Sequence, residues 1–264
     1  MKGLIRAILI GIVLGIGTGI AGAEDRFQLL FSGRAKLLDL TYPINKGNAY
    51  WPGSAYFPFT LKNIANIDKD GVYSNSFSMP EHLGTHMDAP SHFVKGQLSL
   101  DQIPLTQLFG PAVVVDVRQK VDKNPDYQMS IQYLKGWEKA HGLIPAGAII
   151  LMYTGWGERW SDFNSYQNRD AQGNLHFPGY SPEVAQFLIK EKSIYGIGID
   201  TLSVDYGLSK DFKVHHICHG AGKYHLENVA NLDKMPAKGA YLILAPIKIE
   251  GGSGGPTRIY AVLP

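Results

Sequence analysis

Three histidines and an aspartate fall within eleven positions of this chain, in the run Glu81-His82-Leu83-Gly84-Thr85-His86-Met87-Asp88-Ala89-Pro90-Ser91-His92-Phe93. That run restricts the backbone more than any other stretch. His82, His86 and Asp88 stand at even intervals, so in an extended segment, whose side chains alternate between faces, all three point the same way. A helix explains the spacing less well. It brings His82 and His86 together at i, i+4, but Gly84 is a poor interior residue and Pro90 disfavours helix at Ala89. The expected frame is therefore a strand with one polar, ligand-bearing face. Two neutral imidazoles and a carboxylate suit zinc, manganese or ferrous iron, and three protein donors leave coordination positions for water and substrate. Open positions point to catalysis rather than to a structural clamp. An isolated His is usually an ordinary packing residue, but packing alone has no need of three of the chain's nine His beside an Asp.

The pattern His82-x-Gly84-Thr85-His86-x-Asp88-Ala89-Pro90-x-His92-Phe93 resembles the signature of the metal-dependent cyclase family, which includes bacterial kynurenine formamidases and isatin hydrolases. The resemblance implies that His82, His86 and Asp88 bind metal and that His92 handles protons. It extends to a second cluster, Val214-His215-His216-Ile217-Cys218-His219-Gly220-Ala221-Gly222-Lys223-Tyr224-His225-Leu226-Glu227-Asn228. The family pairs a His with a Glu twelve residues on, followed by Asn, and His215 with Glu227 fits. In some members these two bind a second metal with a bridging carboxylate, here Asp88. In others this His conducts protons, so His215 is a site residue either way. His216, His219 and His225 receive no role from the resemblance.

At the N-terminus, Lys2 and Arg6 precede an apolar run from Ala7 to Ile20 and then Ala21-Gly22-Ala23, the layout of a signal peptide with an A-x-A cleavage site. The run is shorter than the roughly 20 residues a membrane span needs. The expected organisation is residues 1–23 as leader and 24–264 as one domain, exported to the periplasm or secreted. Removing the leader changes the count of basic against acidic residues from 25 against 23 to 23 against 23. A near-neutral chain predicts neither nucleic acid nor an anionic membrane as partner. The single cysteine, Cys218, rules out an intramolecular disulfide. A Cys-His nucleophile is disfavoured there, because the metal motif already supplies an activated nucleophile and free Cys is often a buried small apolar group.

Runs that read as strands are Lys36 to Thr41, Ala112 to Val117, Ala148 to Tyr153, Ser193 to Ile199, Tyr241 to Ala245 and Arg258 to Leu263. Ser130 caps a predicted helix running to about His141, with Gly142 as its stop, and Ser181-Pro182-Glu183 opens another through about Lys192. The pattern predicts a mixed α/β domain around a curved or barrel-like sheet with flanking helices. The family's swivelling β/β/α fold agrees with it. Trp51, in Tyr50-Trp51-Pro52-Gly53, takes the position of an aromatic substrate contact in the family. Trp156, after the strand ending at Tyr153, is a candidate second aromatic face. Gly251-Gly252-Ser253-Gly254-Gly255-Pro256 lacks the Lys-Ser/Thr of a phosphate loop and reads as a turn between strands, with Ser253 near the substrate. The carboxylates of the stretch Gly198 to Asp205 read as loop-ordering groups rather than ligands.

The expected activity is metal-assisted hydrolysis of a small aromatic or heterocyclic amide, with lactam ring opening of the isatin type ahead of N-formyl hydrolysis of the kynurenine formamidase type. The cofactor would be Mn2+ or Zn2+, as one or two ions. A catalytic metal acidifies water from a pKa of 15.7 to about 7, and a His of ordinary pKa suits proton transfer near neutrality. The expected assembly is a homodimer or higher homo-oligomer. The competing class is an exported metal buffer without catalysis, supported by seven His in two clusters; it has no use for His92 just past a proline or for an aromatic pocket.

Overall fold

The computed structural model describes residues 28–264; the leader-like run lies outside them. The chain divides into a unit ending at Ala35 and a body of Lys36–Pro264. Among the described residues no helix is long and apolar enough to cross a membrane.

The body carries twelve strands: β1 (Leu37–Asp39), β2 (Thr60–Ala65), β3 (Ser74–Ser78), β4 (His86–Asp88), β5 (Phe109–Asp116), β6 (Gln128–Met129), β7 (Ile149–Tyr153), β8 (Gly179–Tyr180), β9 (Gly196–Ile199), β10 (Tyr224–Glu227), β11 (Lys238–Pro246) and β12 (Gly254–Val262). Seven of them close a ring in the order β12-β11-β5-β7-β9-β10-β4 and back to β12. Strands β5, β7, β9 and β10 are parallel neighbours, and β11, β12 and β4 complete the circle with antiparallel pairings. The same edge of β12 pairs with β4 through Gly254–Pro256 and with β1 through Tyr260–Val262. The barrel-like sheet expected from sequence is thus a closed barrel.

Period-two alternation sorts each strand between two cores. One core takes Met87 of β4, Ala112 and Val114 of β5, Ile149 and Leu151 of β7, Tyr224 and Leu226 of β10, and Ile259 and Ala261 of β12. It is the barrel interior. Strand β9 gives it only Gly196 and Gly198, where a Cβ would collide with the Tyr224 ring or crowd Leu151. The alternate residues, Val113, Val115, Ile150, Met152, Ile197 and Ile199, face outward into a second core shared with the helices.

The three longest helices pack there: α1 (Ile131–His141), α2 (Pro182–Glu191) and α3 (Lys213–Gly220). The first two match the expectation closely. Ser130 Oγ accepts from Tyr133 N, Gly142 ends α1, and Ser181 caps α2 with Pro182 in its first turn. Leu134 and Trp137 of α1 and Val184, Ala185 and Leu188 of α2 bury against the outward sheet face. Helix α3 was not expected. Its N-cap, Phe212, offers no side-chain cap; Asp205, seven residues earlier, accepts from the N–H groups of Val214 and His215 instead.

Candidate active site

Strands β4 and β10 run antiparallel with His225 opposite Asp88 and Glu227 opposite His86. Because Met87, Tyr224 and Leu226 point into the barrel, these four polar residues form a two-by-two patch on the outer face. Helix α3 brings His215 and His219, one turn apart, against it: the His215 ring lies 4.7 Å from that of His225, and His219 stacks on His225 at 4.2 Å. His86, Asp88, His215, His219, His225 and Glu227 are all buried.

His82 enters differently from the expected continuous strand. Only His86 and Asp88 lie on β4; His82 sits in the turn before it, and Gly84, at φ 70°, reverses the chain between them. That left-handed conformation carries little steric cost for glycine. The ring then packs over Gly254 of β12, where any Cβ would collide with it.

Hydrogen bonds fix which nitrogen of each imidazole is free. The Gly84 carbonyl can only accept, so His86 donates from Nδ1 (2.8 Å) and leaves Nε2 as a lone pair. Asn228 Nδ2 donates to the same carbonyl. His215 donates from Nδ1 to Asp205 Oδ2 (2.7 Å), which frees its Nε2. Ser253 Oγ donates to Glu81 Oε2 (2.5 Å) and accepts from His82 Nε2 (3.0 Å), which frees His82 Nδ1. These are the outer partners that orient metal-binding imidazoles.

All three free nitrogens face carboxylate oxygens. His82 Nδ1 is 2.6 Å and His86 Nε2 3.1 Å from Asp88 Oδ1, and His215 Nε2 is 3.3 Å from Asp88 Oδ2. Glu227 Oε2 is 3.5 Å from His86 Nε2, and its Oε1 3.4 Å from His215 Nε2. Lone pair facing lone pair in a buried site requires a cation between them, either a proton or a metal. Burial alone would depress the His86 imidazole, but Asp88 and Glu227 raise it to about 10. Burial alone would raise Asp88, yet His82, His215 and His86 hold it well below the usual carboxylate range. His86 Nε2 and Asp88 Oδ2 still make no hydrogen bond. An unmade buried bond costs about 1–3 kcal/mol, so the donor set fits a divalent cation.

His92 stands at the edge of the donor set, with a ring nitrogen within 4.8 Å of donor atoms of His82 and Asp88. It ends a 3-10 turn, Pro90–His92, and its ring stacks on that of His82 at 3.8 Å. Burial, the largest cause, pushes its pKa down to about 4. The group is a neutral base at pH 7, with a lower pKa than the ordinary one the sequence suggested.

A cavity of about 240 Å3 opens over the patch, walled by Trp51, Tyr56, Phe93, Leu202 and Phe212. Trp51 is one of these walls. Phe212 meets it edge-on at 5.6 Å and packs on Phe93 at 5.4 Å, with its backbone at φ 45° and ψ 45°. A bulky residue held there costs on the order of 1–3 kcal/mol, and such strain collects at functional sites. Phe93, Phe212 and Tyr56 were not singled out from sequence; Phe93 had its position inside the motif as a signal, whereas nothing local marks the other two.

Trp156 is a correction. It is buried, its indole N–H donates to the Tyr166 carbonyl, and it lines a different cavity of about 950 Å3 with Arg118 and Arg159. That cavity holds no imidazole. Ser253 lies between Glu81 and His82 and does not line the site cavity. Asp200 orders a loop, as expected, accepting from Thr154 and Trp156. Asp205 does more than that, since it caps α3 and orients His215. His216 is exposed on α3, and burial pushes the Cys218 thiol up to about 12, which makes it a poor nucleophile.

The family profile described as Putative cyclase matches residues 38–206. The isatin hydrolase of Roseibium aggregatum is 36% identical over 214 residues, covering 77% of this chain and 81% of that protein. The kynurenine formamidase of Salinibacter ruber is 29% identical over 223 residues, covering 84% and 95%. The structure of isatin hydrolase A from Ralstonia solanacearum superposes with a TM-score of 0.86 at 34% identity, over 95% of this chain and all of that one.

Proposed function

The chain belongs to the putative cyclase family, and from that premise we propose that it is a metal-dependent hydrolase that opens the lactam ring of a small, flat, isatin-like amide. The observation that carries the reading is the convergence of three lone-pair nitrogens, those of buried His86 and His215 and half-buried His82, on Asp88 and Glu227, beneath an aromatic cavity with a neutral His92 at its edge. The named activity of a relative 36% identical over most of its length supports the same choice.

His82, His86 and Asp88 would hold the catalytic ion, Mn2+ or Zn2+, and His215 and Glu227 a second if one binds. A divalent cation there supplies a Lewis acid for the carbonyl oxygen and lowers the pKa of water. His92, uncharged at neutral pH, accepts the proton of the attacking water and returns it to the leaving lactam nitrogen. Trp51, Phe93 and Phe212 hold the flat ring and exclude bulk water. The His86 and His82 tautomers, set by Gly84 and by Ser253 with Glu81, keep the donor nitrogens aimed without reorganisation. The leader-like N-terminus carries the companion proposal that the enzyme works in the periplasm or outside the cell, checked by the intact mass of the secreted chain, which should begin at Glu24.

The test is a hydrolysis screen of metal-loaded protein against isatin, N-formylkynurenine, cyclic imides and lactones. Isatin should be turned over with the highest kcat/KM. Preference for N-formylkynurenine would move the assignment to arylformamide hydrolysis, and binding without turnover of any amide would leave a metal buffer.

A further inference from the structure

Two hydroxyls line the site cavity, those of Tyr56 and Ser203, and neither belongs to the metal donors. Tyr56 follows the turn at Pro52-Gly53: its N–H donates to the Gly53 carbonyl (3.2 Å), and its half-buried ring lies beside that glycine. Burial, Asp88 and Glu227 all raise its pKa, so the phenol keeps its proton at neutral pH. Its hydroxyl meets no acceptor among the described residues. Ser203 is buried in the loop after β9, which three hydrogen bonds pin: Val204 N–H donates to Glu227 Oε1 (3.0 Å), Thr201 Oγ1 to the Ser203 carbonyl (2.8 Å) and Asp205 N–H to Ser203 Oγ (3.2 Å). The serine oxygen is thus used as an acceptor, while its proton finds no acceptor among the described residues. Asp88, Glu227, His82 and His215 offer lone pairs to the cavity, and no Lys or Arg lines it. A substrate tail bearing a carboxylate would face two like charges there without a guanidinium or ammonium to pair with. An uncharged carbonyl oxygen needs only a donor, and the two hydroxyls supply it.

We propose that Tyr56 and Ser203 bind the oxygen of a second, uncharged carbonyl beside the scissile amide, which makes the substrate class of this site the α-keto lactam or α-keto amide. The proposal rests on the hydrolase reading given above and deepens it to a choice among amides. In ring opening the water oxygen bonds to the amide carbon, the C–N bond breaks and the nitrogen takes the proton. The neighbouring ketone is neither formed nor consumed, so the grip on its oxygen persists in the ring-opened acid and is measurable without turnover. A plain lactam leaves both hydroxyls without that partner and binds more weakly.

Calorimetric titration of Mn2+-loaded protein with two acids that differ only in the ketone, 2-aminophenylglyoxylate and 2-aminophenylacetate, tests this. Wild type should bind the keto acid about 10- to 100-fold more tightly. Tyr56→Phe keeps the ring and removes one hydroxyl; it should lose about 3- to 10-fold for the keto acid, the size of one hydrogen bond to a neutral acceptor, and change the other acid by less than about twofold. Ser203→Ala should act in the same direction, and the double variant should bind the two acids about equally. Because Ser203→Ala also strips the acceptor from Asp205 N–H, Tyr56→Phe carries the decision. A Tyr56 that only walls the cavity predicts equal changes for both acids, and that result would overturn the proposal. A preference for the keto acid that survives in the double variant would put the ketone on the metal and overturn it too. The hydrolase reading fails separately: a preference lost in the double variant, with no amide turned over by wild type, would remove the hydrolase and leave the carbonyl grip standing, whereas isatin turnover with equal binding of the two acids would do the reverse.

Discussion

The two donor sets on the outer face of β4 and β10 are built from opposite kinds of sequence. The first draws His82, His86 and Asp88 from seven consecutive residues and opens on a cavity. The second joins a helix residue, His215, to Glu227 of a four-residue strand, and both line the same cavity. Compact sequence spacing builds the first set and the long-range assembly of helix and sheet the second, and both face one cavity. The contrast also predicts how each side fails.

The largest effect belongs to the first set. His86→Ala removes one of three donors there and should cut amide turnover by more than about 10³-fold, with loss of the catalytic ion in metal analysis. Next comes His92→Ala, which should keep its metal and lose about 10²- to 10⁴-fold in kcat, with KM little changed. Loss of metal from that variant would instead make His92 a ligand. On the His215 side, Asp205→Asn keeps the shape but weakens the acceptor that orients His215. It should lower affinity for an ion held by His215 and Glu227 by about 10- to 100-fold, read by competition with a chelator, while an ion on His82 and His86 stays bound. Equal loss from both sets would erase the distinction between them.

The acid limb of kcat sharpens the same contrast. Burial pushes His92 down to about 4, and a cation nearby pushes in the same direction, so at saturating metal the free base persists well below pH 6.5 and activity falls only as pH approaches the folded value. A limb centred near 6.5 would mean that His92 is better solvated than its stacked, buried position implies. The smallest effect is on the wall: Phe212→Leu should raise KM for a flat bicyclic amide by about 3- to 10-fold and leave kcat nearly intact, since it thins the aromatic contact but moves no donor.

Much of the first set was legible because its chemistry is local. Even spacing gave His86 and Asp88 their common face, and Pro90 set the 3-10 turn that presents His92. His82 was half legible: its role as a donor followed from the motif, but its position depends on Gly84 at positive φ and on the gap left by Gly254, which lies far along the chain. Helix α3 was illegible for a physical reason. Its run carries Val214, Ile217 and three His, all weak helix formers, and its cap comes from Asp205 rather than from the residue before it. His225 could not be assigned because nothing local says that Tyr224 and Leu226 fill a barrel and turn it outward. Barrel closure was foreseen in kind but not in detail, since β4 meets β12 through only three residue pairs.

The central claim, that the first donor set is a metal-dependent hydrolytic centre, is tested most directly by following isatin ring opening while Mn2+ is titrated into chelator-stripped wild-type protein. The rate should start near zero and rise with Mn2+ bound until the first set is filled. Ring opening at full rate by protein shown to hold no metal would contradict it.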